Sequence, residues 1–237
     1  MLPKEKTKTV NDINSLTALI YGPSKIGKST FCSRAEKALF LSTEPGLNSL
    51  EVFKIDIKNW EDLLNACKEI EAGEHEFKTI VIDTIDNAYQ MCRDYFCKKN
   101  NVEHESDIAW GKCYALINAE FQRVINKLAF LPYGLILVSH SMDKEVESRT
   151  GKYTKTIPTI PEKARQILIG LVDLILFCDI ELKTDENKNQ IQYRIMRTKP
   201  NVGYDAGDRT GIFPDTMPLS YPEFKKVFYN HFNKEKK

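Results

Sequence analysis

The chain has 237 residues, of which 42% are hydrophobic and 28% charged, and its 34 basic and 33 acidic side chains leave a formal net charge of +1. That is the size and balance of one α/β domain with a water-exposed surface, and a charge so near zero excludes a globally basic protein, so any nucleic-acid site must be a local patch. No apolar run approaches the length of a membrane span, and the charged start has no apolar stretch behind it as a signal peptide would, which predicts a cytoplasmic protein without a membrane partner.

Residues 1–12 read as a flexible lead-in. Leu16 to Tyr21 is a short apolar run ending at Gly22, hence a strand, and Lys28 to Lys37 reads as the helix after it. Ala38 to Ser42 is a second strand, closed by the turn pair Pro45-Gly46, and Val52 to Ile57 a short third. Asn59 to Ala72 carries Trp60, Leu63, Leu64, Cys67 and Ile70 at helical spacing. Thr79 to Ile82 is a wholly apolar strand ending in Asp83, and a helix is expected from Ile85 to Lys99. After the polar stretch Asn100 to Asp107, a long helix from Ile108 to Phe130 has the stripe Ile117, Phe121, Val124 and Leu128. Gly134 to Val138 is another strand, running into Ser139 and His140; Ser141 to Pro161 is polar, without periodicity, and reads as a loop. A helix from Glu162 to Gly170, a buried strand from Asp173 to Cys178 and a hairpin of Glu181 to Lys183 with Gln190 to Met196 follow. The chain closes, within 215–237, on a helix with Tyr221, Phe224, Phe228 and Phe232 on one face. Apolar strands alternating with helices predict a mostly parallel central sheet covered on both faces, with a late antiparallel hairpin.

The sharpest motif is Gly22-Pro23-Ser24-Lys25-Ile26-Gly27-Lys28-Ser29, a complete G-x-x-x-x-G-K-[ST], placed between a strand and a helix as that motif requires. Its glycines let the backbone turn N–H groups inward, and the helix start adds positive potential, so the segment is expected to cradle the phosphates of ATP. Lys28 is expected at the β- and γ-phosphates, the Ser29 hydroxyl on Mg²⁺ and Thr30 at the α-phosphate. Asp83, delivered by a buried strand, is the expected second Mg²⁺ anchor. Glu44, just past the second strand, is the candidate to activate a water, with Asp86 as the alternative. His140 stands where a polar side chain senses the γ-phosphate. The six cysteines contain no C-x-x-C pair, and the grouping of Cys92, Cys97, His104 and Cys113 fits none of the usual zinc spacings, so they read as free thiols.

With Glu44, Asp83 and His140 in this order, the chain resembles the RecA core, and more closely the phage-encoded RecA-like ATPases of the Sak type, which are single-strand annealing and recombination proteins. The resemblance is carried by residues 22–30, 38–50, 78–89, 109–128, 134–140 and 197–214, the last including the closing TKP and DRTG segments. It implies a single RecA-like domain over residues 1–237 that hydrolyses ATP with Mg²⁺, with Glu44 as the water-activating carboxylate and His140 as the residue coupling nucleotide to DNA. It also implies a location in the host cytoplasm, contact with single-stranded DNA, a homo-oligomeric ring or filament and a single-strand-binding protein as a further partner. Two segments correspond to the DNA-contacting loops: the acidic stretch 100–108 and residues 141–161, where Lys144, Arg149, Lys152, Tyr153 and Lys155 suit phosphate contact and base stacking. Arg197, Lys199 and Arg209 are the candidates to complete a neighbour's ATP site. A small-molecule kinase is disfavoured, since 141–161 holds one arginine where a lid needs several. A helicase loader or a nucleotide switch without direct DNA contact shares the same core.

Overall fold

A computed structural model describes residues 2, 4–6, 9–107, 112–149, 151–184 and 188–234. The strands are β1 (Thr17–Tyr21), β2 (Ala38–Ser42), β3 (Phe53–Asp56), β4 (Thr79–Asp83), β5 (Gly134–Ser139), β6 (Ser141–Ser148), β7 (Gly151–Pro158), β8 (Leu174–Thr184), β9 (Gln190–Arg197), β10 (Gly207–Asp208) and β11 (Thr216–Pro218). The helices are α1 (Lys28–Cys32), α2 (Trp60–Ala72), α3 (Ile85–Lys99), α4 (Lys112–Ala129), α5 (Glu162–Leu171) and α6 (Tyr221–Lys234). Among the described residues, nine strands form one sheet in the order β11-β9-β8-β1-β5-β4-β2-β3, with β10 beside β8. The pairings from β8 through β1, β5, β4 and β2 to β3 are parallel, while β9, β10 and β11 add antiparallel. This is the expected α/β architecture.

The central strands are apolar throughout because both sheet faces are covered and successive side chains alternate between them. Leu19 and Tyr21 of β1, Ile80 and Ile82 of β4 and Leu135 and Leu137 of β5 enter one core with α2, α3, α4 and α5. Ile20, Val81, Ile136 and Val138 enter the other, closed by Phe31 of α1 and by Tyr221, Phe224 and Phe228 of α6. The stripe Ile117, Phe121, Val124 and Leu128 is fully inside the first core. Asn59 caps α2 by accepting the Asp62 N–H at 2.9 Å, and Gly73 ends it in the left-handed conformation.

Several elements differ from the sequence reading. The helix after Gly27 stops at Cys32 instead of Lys37, and turns carry the chain to β2. The start expected for α4 at Ile108 lies outside the described residues, as does the centre of the β8–β9 turn at 185–187. The two late strands expected at 173–178 and 181–183 are one: β8 runs on to Thr184, because β9 pairs with it from Phe177 to Thr184. The segment 141–161 is not a loop. Residues of β6 and β7 pair antiparallel from Ser141↔Pro158 to Ser148↔Gly151, forming a separate two-stranded hairpin. Its period of two is present, with Asp143, Glu145 and Glu147 on one face and Met142, Lys144 and Val146 on the other. Both faces are mostly polar, so no hydrophobic alternation announces it.

Candidate functional site

The ends of β1, β2, β4 and β5 meet over one cleft of about 510 Å³, lined by Ser24, Lys28, Ser29, Glu44, Asp83, Thr84 and His140 among others. The P-loop turn depends on two glycines. Gly22 has φ +154°, and a Cβ there would lie 2.4 Å from the Cys178 carbonyl oxygen of β8, so only glycine lets the loop leave β1 this close to its neighbour. Gly27 adopts φ +115° immediately before α1. Since α1 is little more than one turn long, the anion attraction of this site rests on the local N–H groups of the loop and not on a long helix dipole.

Lys28 is buried and donates to the carbonyls of Gly22 (2.8 Å) and Pro23 (2.9 Å). Burial pushes its ammonium below the ordinary lysine range, against the opposing pull of Cys178, Asp83, Asp86 and Glu44. The Ser29 hydroxyl donates to Asp83 Oδ2 at 2.6 Å. Asp83 is buried, and that burial holds its carboxyl above the usual carboxylate range, with the Ser29 bond pulling the other way. The two side chains form a compact pair of oxygen donors, the ligand chemistry that Mg²⁺ selects, beside a desolvated cation suited to phosphate.

Glu44 reaches over the same cleft. Its Oε2 accepts from Asn87 Nδ2 at 3.3 Å and lies 3.6 Å from His140 Nε2. The other His140 ring nitrogen, Nδ1, meets the Ser24 hydroxyl of the P-loop at 3.2 Å. Behind this group, Thr43 Oγ1 accepts from the Thr84 N–H (2.7 Å) and donates to the Thr84 carbonyl (2.9 Å), tying the end of β2 to the end of β4 and fixing Glu44 relative to Asp83. Sequence reasoning missed Thr43 and Asn87; a threonine or asparagine one residue from a candidate acid was the only available signal. Asp86 is the alternative base of the sequence reading. That carboxylate is occupied, accepting from the Ser139 hydroxyl (2.8 Å), the His140 N–H (3.2 Å) and the Thr159 hydroxyl (2.5 Å). Asp86 thereby clamps both ends of the β6–β7 hairpin next to His140.

The remaining candidates are dispersed. On the hairpin, Lys144 pairs with Glu162 at 3.1 Å and Lys155 with Asp205 at 2.6 Å, while Arg149, Lys152 and Tyr153 are exposed towards its tip. Arg197 is held by Asp179 at 2.8 Å and lies over the Tyr204 ring; Lys199 pairs with Asp208 at 2.9 Å; Arg209 donates to the carbonyls of Gly170 and Leu171 at the end of α5. None of the three lines the phosphate cleft. In the acidic segment, Glu105 is buried 3.6 Å from Arg93. All six cysteines are buried and unbridged, and no group of three or more metal-ligating side chains occurs among the described residues. No helix among the described residues is long and apolar enough to cross a membrane.

With this geometry in place, the family model described as "AAA domain" matches residues 14–210, from just before β1 to just past β10. The chain belongs to that family. Membership agrees with the nucleotide-site chemistry of the P-loop and Asp83. A curated relative, the SPbeta prophage-derived uncharacterized protein YorG of Bacillus subtilis (strain 168), is 26% identical over 160 residues, which are 65% of this chain; the chain spans about half the length of that relative, 46%. Among solved structures, the flagellar accessory protein FlaH of Methanocaldococcus jannaschii is 14% identical and superposes with a TM-score of 0.43, covering 86% of this chain and 84% of FlaH.

The raised Asp83 carboxyl has a consequence for stability. A carboxyl whose folded value exceeds its unfolded one favours the fold while protonated, and that advantage is lost as pH rises through the folded value. Asp83→Asn cannot ionise and can still accept from Ser29. It is expected to melt higher than the parent at about pH 8, by on the order of 1 kcal/mol, and to converge with it below about pH 4. Paired thermal melts across that range check this; a variant less stable at alkaline pH would reverse the assignment.

Proposed function

We propose that the protein is a Mg²⁺-dependent ATPase driven by single-stranded DNA, acting in phage recombination as a Sak-type annealing or strand-exchange protein. The observation that carries hydrolysis is the Glu44 carboxylate, which lies 3.6 Å from His140 and lines the same cleft as the Ser29–Asp83 pair. In this reading the P-loop N–H groups and Lys28 hold the β- and γ-phosphates, Lys28 exchanging its Gly22 and Pro23 carbonyl partners for phosphate oxygens. Ser29 and Asp83 would hold Mg²⁺, which would neutralise charge on the phosphates. Glu44, steadied by Asn87, orients the attacking water and receives its proton. His140 senses the γ-phosphate through its place between Ser24 and Glu44.

The link to DNA is supported by the rooting of the β6–β7 hairpin: Asp86 binds the backbone of His140 at one end and Thr159 at the other, so a shift of His140 reaches the hairpin directly. Arg149, Lys152 and Tyr153 at the exposed tip are the DNA contacts, with Lys144 and Lys155 committed to Glu162 and Asp205. A phage setting is supported by the prophage-derived relative. Assembly into a ring or filament belongs to the same reading, as do a single-strand-binding protein as partner and a cytoplasmic site of action. For Arg197, Lys199 or Arg209 to complete a neighbour's site, each must first release its own-chain partner.

Phosphate release from ATP, measured with and without single-stranded DNA, tests this. DNA is expected to raise the rate, and Arg149→Glu with Lys152→Glu to weaken DNA binding by at least about tenfold while sparing the DNA-independent rate. Hydrolysis that ignores DNA, with no DNA bound, would favour the helicase-loader or nucleotide-switch alternative.

A further inference from the structure

A second cleft of about 230 Å³ adjoins the phosphate site, and Gly27 and Thr30 line both. Its apolar wall is made by Phe31, Leu219, Tyr221 and Pro222, and two arginines, Arg34 and Arg194, stand at its rim. Phe31 and Tyr221 pack edge to face at 5.3 Å, which makes that wall rigid. Arg194 sits directly over the loop: a Cβ at Gly27 would come 3.7 Å from its Nη1. Its strand is tied to the wall by the Leu219 N–H donating to the Arg194 carbonyl at 3.0 Å. Both arginines are exposed. Most other described arginines are neutralised: Arg93 by Glu105, Arg123 by Glu120, Arg165 by Asp205 and Arg197 by Asp179. Arg34 and Arg194 have no carboxylate within 4.0 Å among the described residues.

Two uncompensated guanidinium groups beside an apolar wall form a site for a flat, electron-rich ligand carrying negative charge. The direction of the triphosphate selects the ligand. On the nucleotide-site reading above, Lys28 and Ser29 would take its β- and γ-phosphate end and Thr30 its α-phosphate end, where this cleft begins.

We propose that this cleft receives the nucleobase and ribose of the bound nucleotide, with Arg34 and Arg194 stacking on or flanking the base and Phe31, Leu219 and Tyr221 behind it. This rests on the nucleotide-site reading above and extends it to the C-terminal segment, since residues 219–222 run across the start of α6. The lining has no carboxylate or carboxamide side chain to read a base edge. The hydroxyls of Thr30, Ser220 and Tyr221 can each donate or accept and so select no one base edge, which leaves retention to the face of the base and tolerates any base with a large π surface.

The test is calorimetric titration of the full chain with Mg²⁺-ATP, Mg²⁺-GTP and inorganic tripolyphosphate, in the parent and in Arg34→Lys and Arg194→Lys. Lysine keeps the charge and loses the planar face. ATP binding is expected to weaken about fivefold to tenfold in each variant while tripolyphosphate binding stays unchanged, with GTP within about threefold of ATP in the parent. Unchanged ATP affinity in both variants would overturn the proposal, as would equal losses for ATP and tripolyphosphate. A parent that binds tripolyphosphate as tightly as ATP overturns the base clamp alone. A parent that binds neither overturns the nucleotide site itself.

Discussion

Lys28→Ala is expected to reduce Mg²⁺-ATP hydrolysis at least about a hundredfold, the scale of removing a preorganised charge from a phosphoryl-transfer site. Lys28 is the buried cation of the loop, and its present hydrogen bonds go to Gly22 and Pro23 carbonyls that the closing phosphates would displace. Its ammonium is held below the lysine range by burial, so the folded chain gives up a disfavoured charge when it is removed. The melting temperature is therefore expected to stay within about 3 °C of the parent. Glu44→Gln forms the contrast. It leaves the loop, Lys28 and the Ser29–Asp83 pair intact, so ATP should still bind while turnover falls by about a hundredfold. Equilibrium ATP binding beside steady-state phosphate release separates the two. Retention of a tenth or more of parental turnover in Lys28→Ala would remove the lysine from the mechanism, and equal binding losses in both variants would remove Glu44 from its role as base.

Gly22→Ala is expected to have the largest effect on the fold. The added methyl would sit 2.4 Å from the Cys178 carbonyl oxygen and 3.0 Å from its Cβ, in a backbone conformation of φ +154° that side-chain-bearing residues rarely adopt. The obstacle is main chain in β8, paired in register with β1 from Ala18↔Leu174 to Tyr21↔Phe177, and it cannot rotate away. Relief requires parting β1 from β8 or rebuilding the loop. Overpacking and backbone strain together put the cost at about 3 kcal/mol, or roughly 6–12 °C in melting temperature for a domain of this size. Thermal or urea unfolding measures this directly. Gly211→Ala is the internal control, since its φ is +70° but nothing lies within 4 Å of the added carbon. If Gly22→Ala melted no lower than Gly211→Ala, the close approach of the loop to β8 would be wrong.

What the sequence determined by itself was whatever short-range pattern encodes. The P-loop is contiguous, so its chemistry and its place between strand and helix were legible from eight residues. The wholly apolar runs ending at Tyr21, Ser42, Asp83 and Ser139 announced strands buried on both faces, and that placed Asp83, Glu44 and His140 at one edge of one sheet. The stripe along α4 and the aromatic face of α6 were legible because a helix repeats its contacts every three or four residues.

Only the tertiary structure could decide what depends on partners far apart in the chain. The β6–β7 hairpin was unreadable because pairing across it aligns polar residues on both faces, so the strands are specified by each other and by the anchorage of their ends to Asp86, 53 to 73 residues away in sequence. The same holds for the Thr43–Thr84 tie across 41 residues and for Arg194 over Gly27. In the sequence Lys144, Lys155, Arg197 and Lys199 are candidate contacts, but each is committed to a carboxylate that folding brings within 2.6–3.1 Å. A sequence records which charges exist; folding determines which are neutralised, because pairing depends on distance in space and not on separation along the chain.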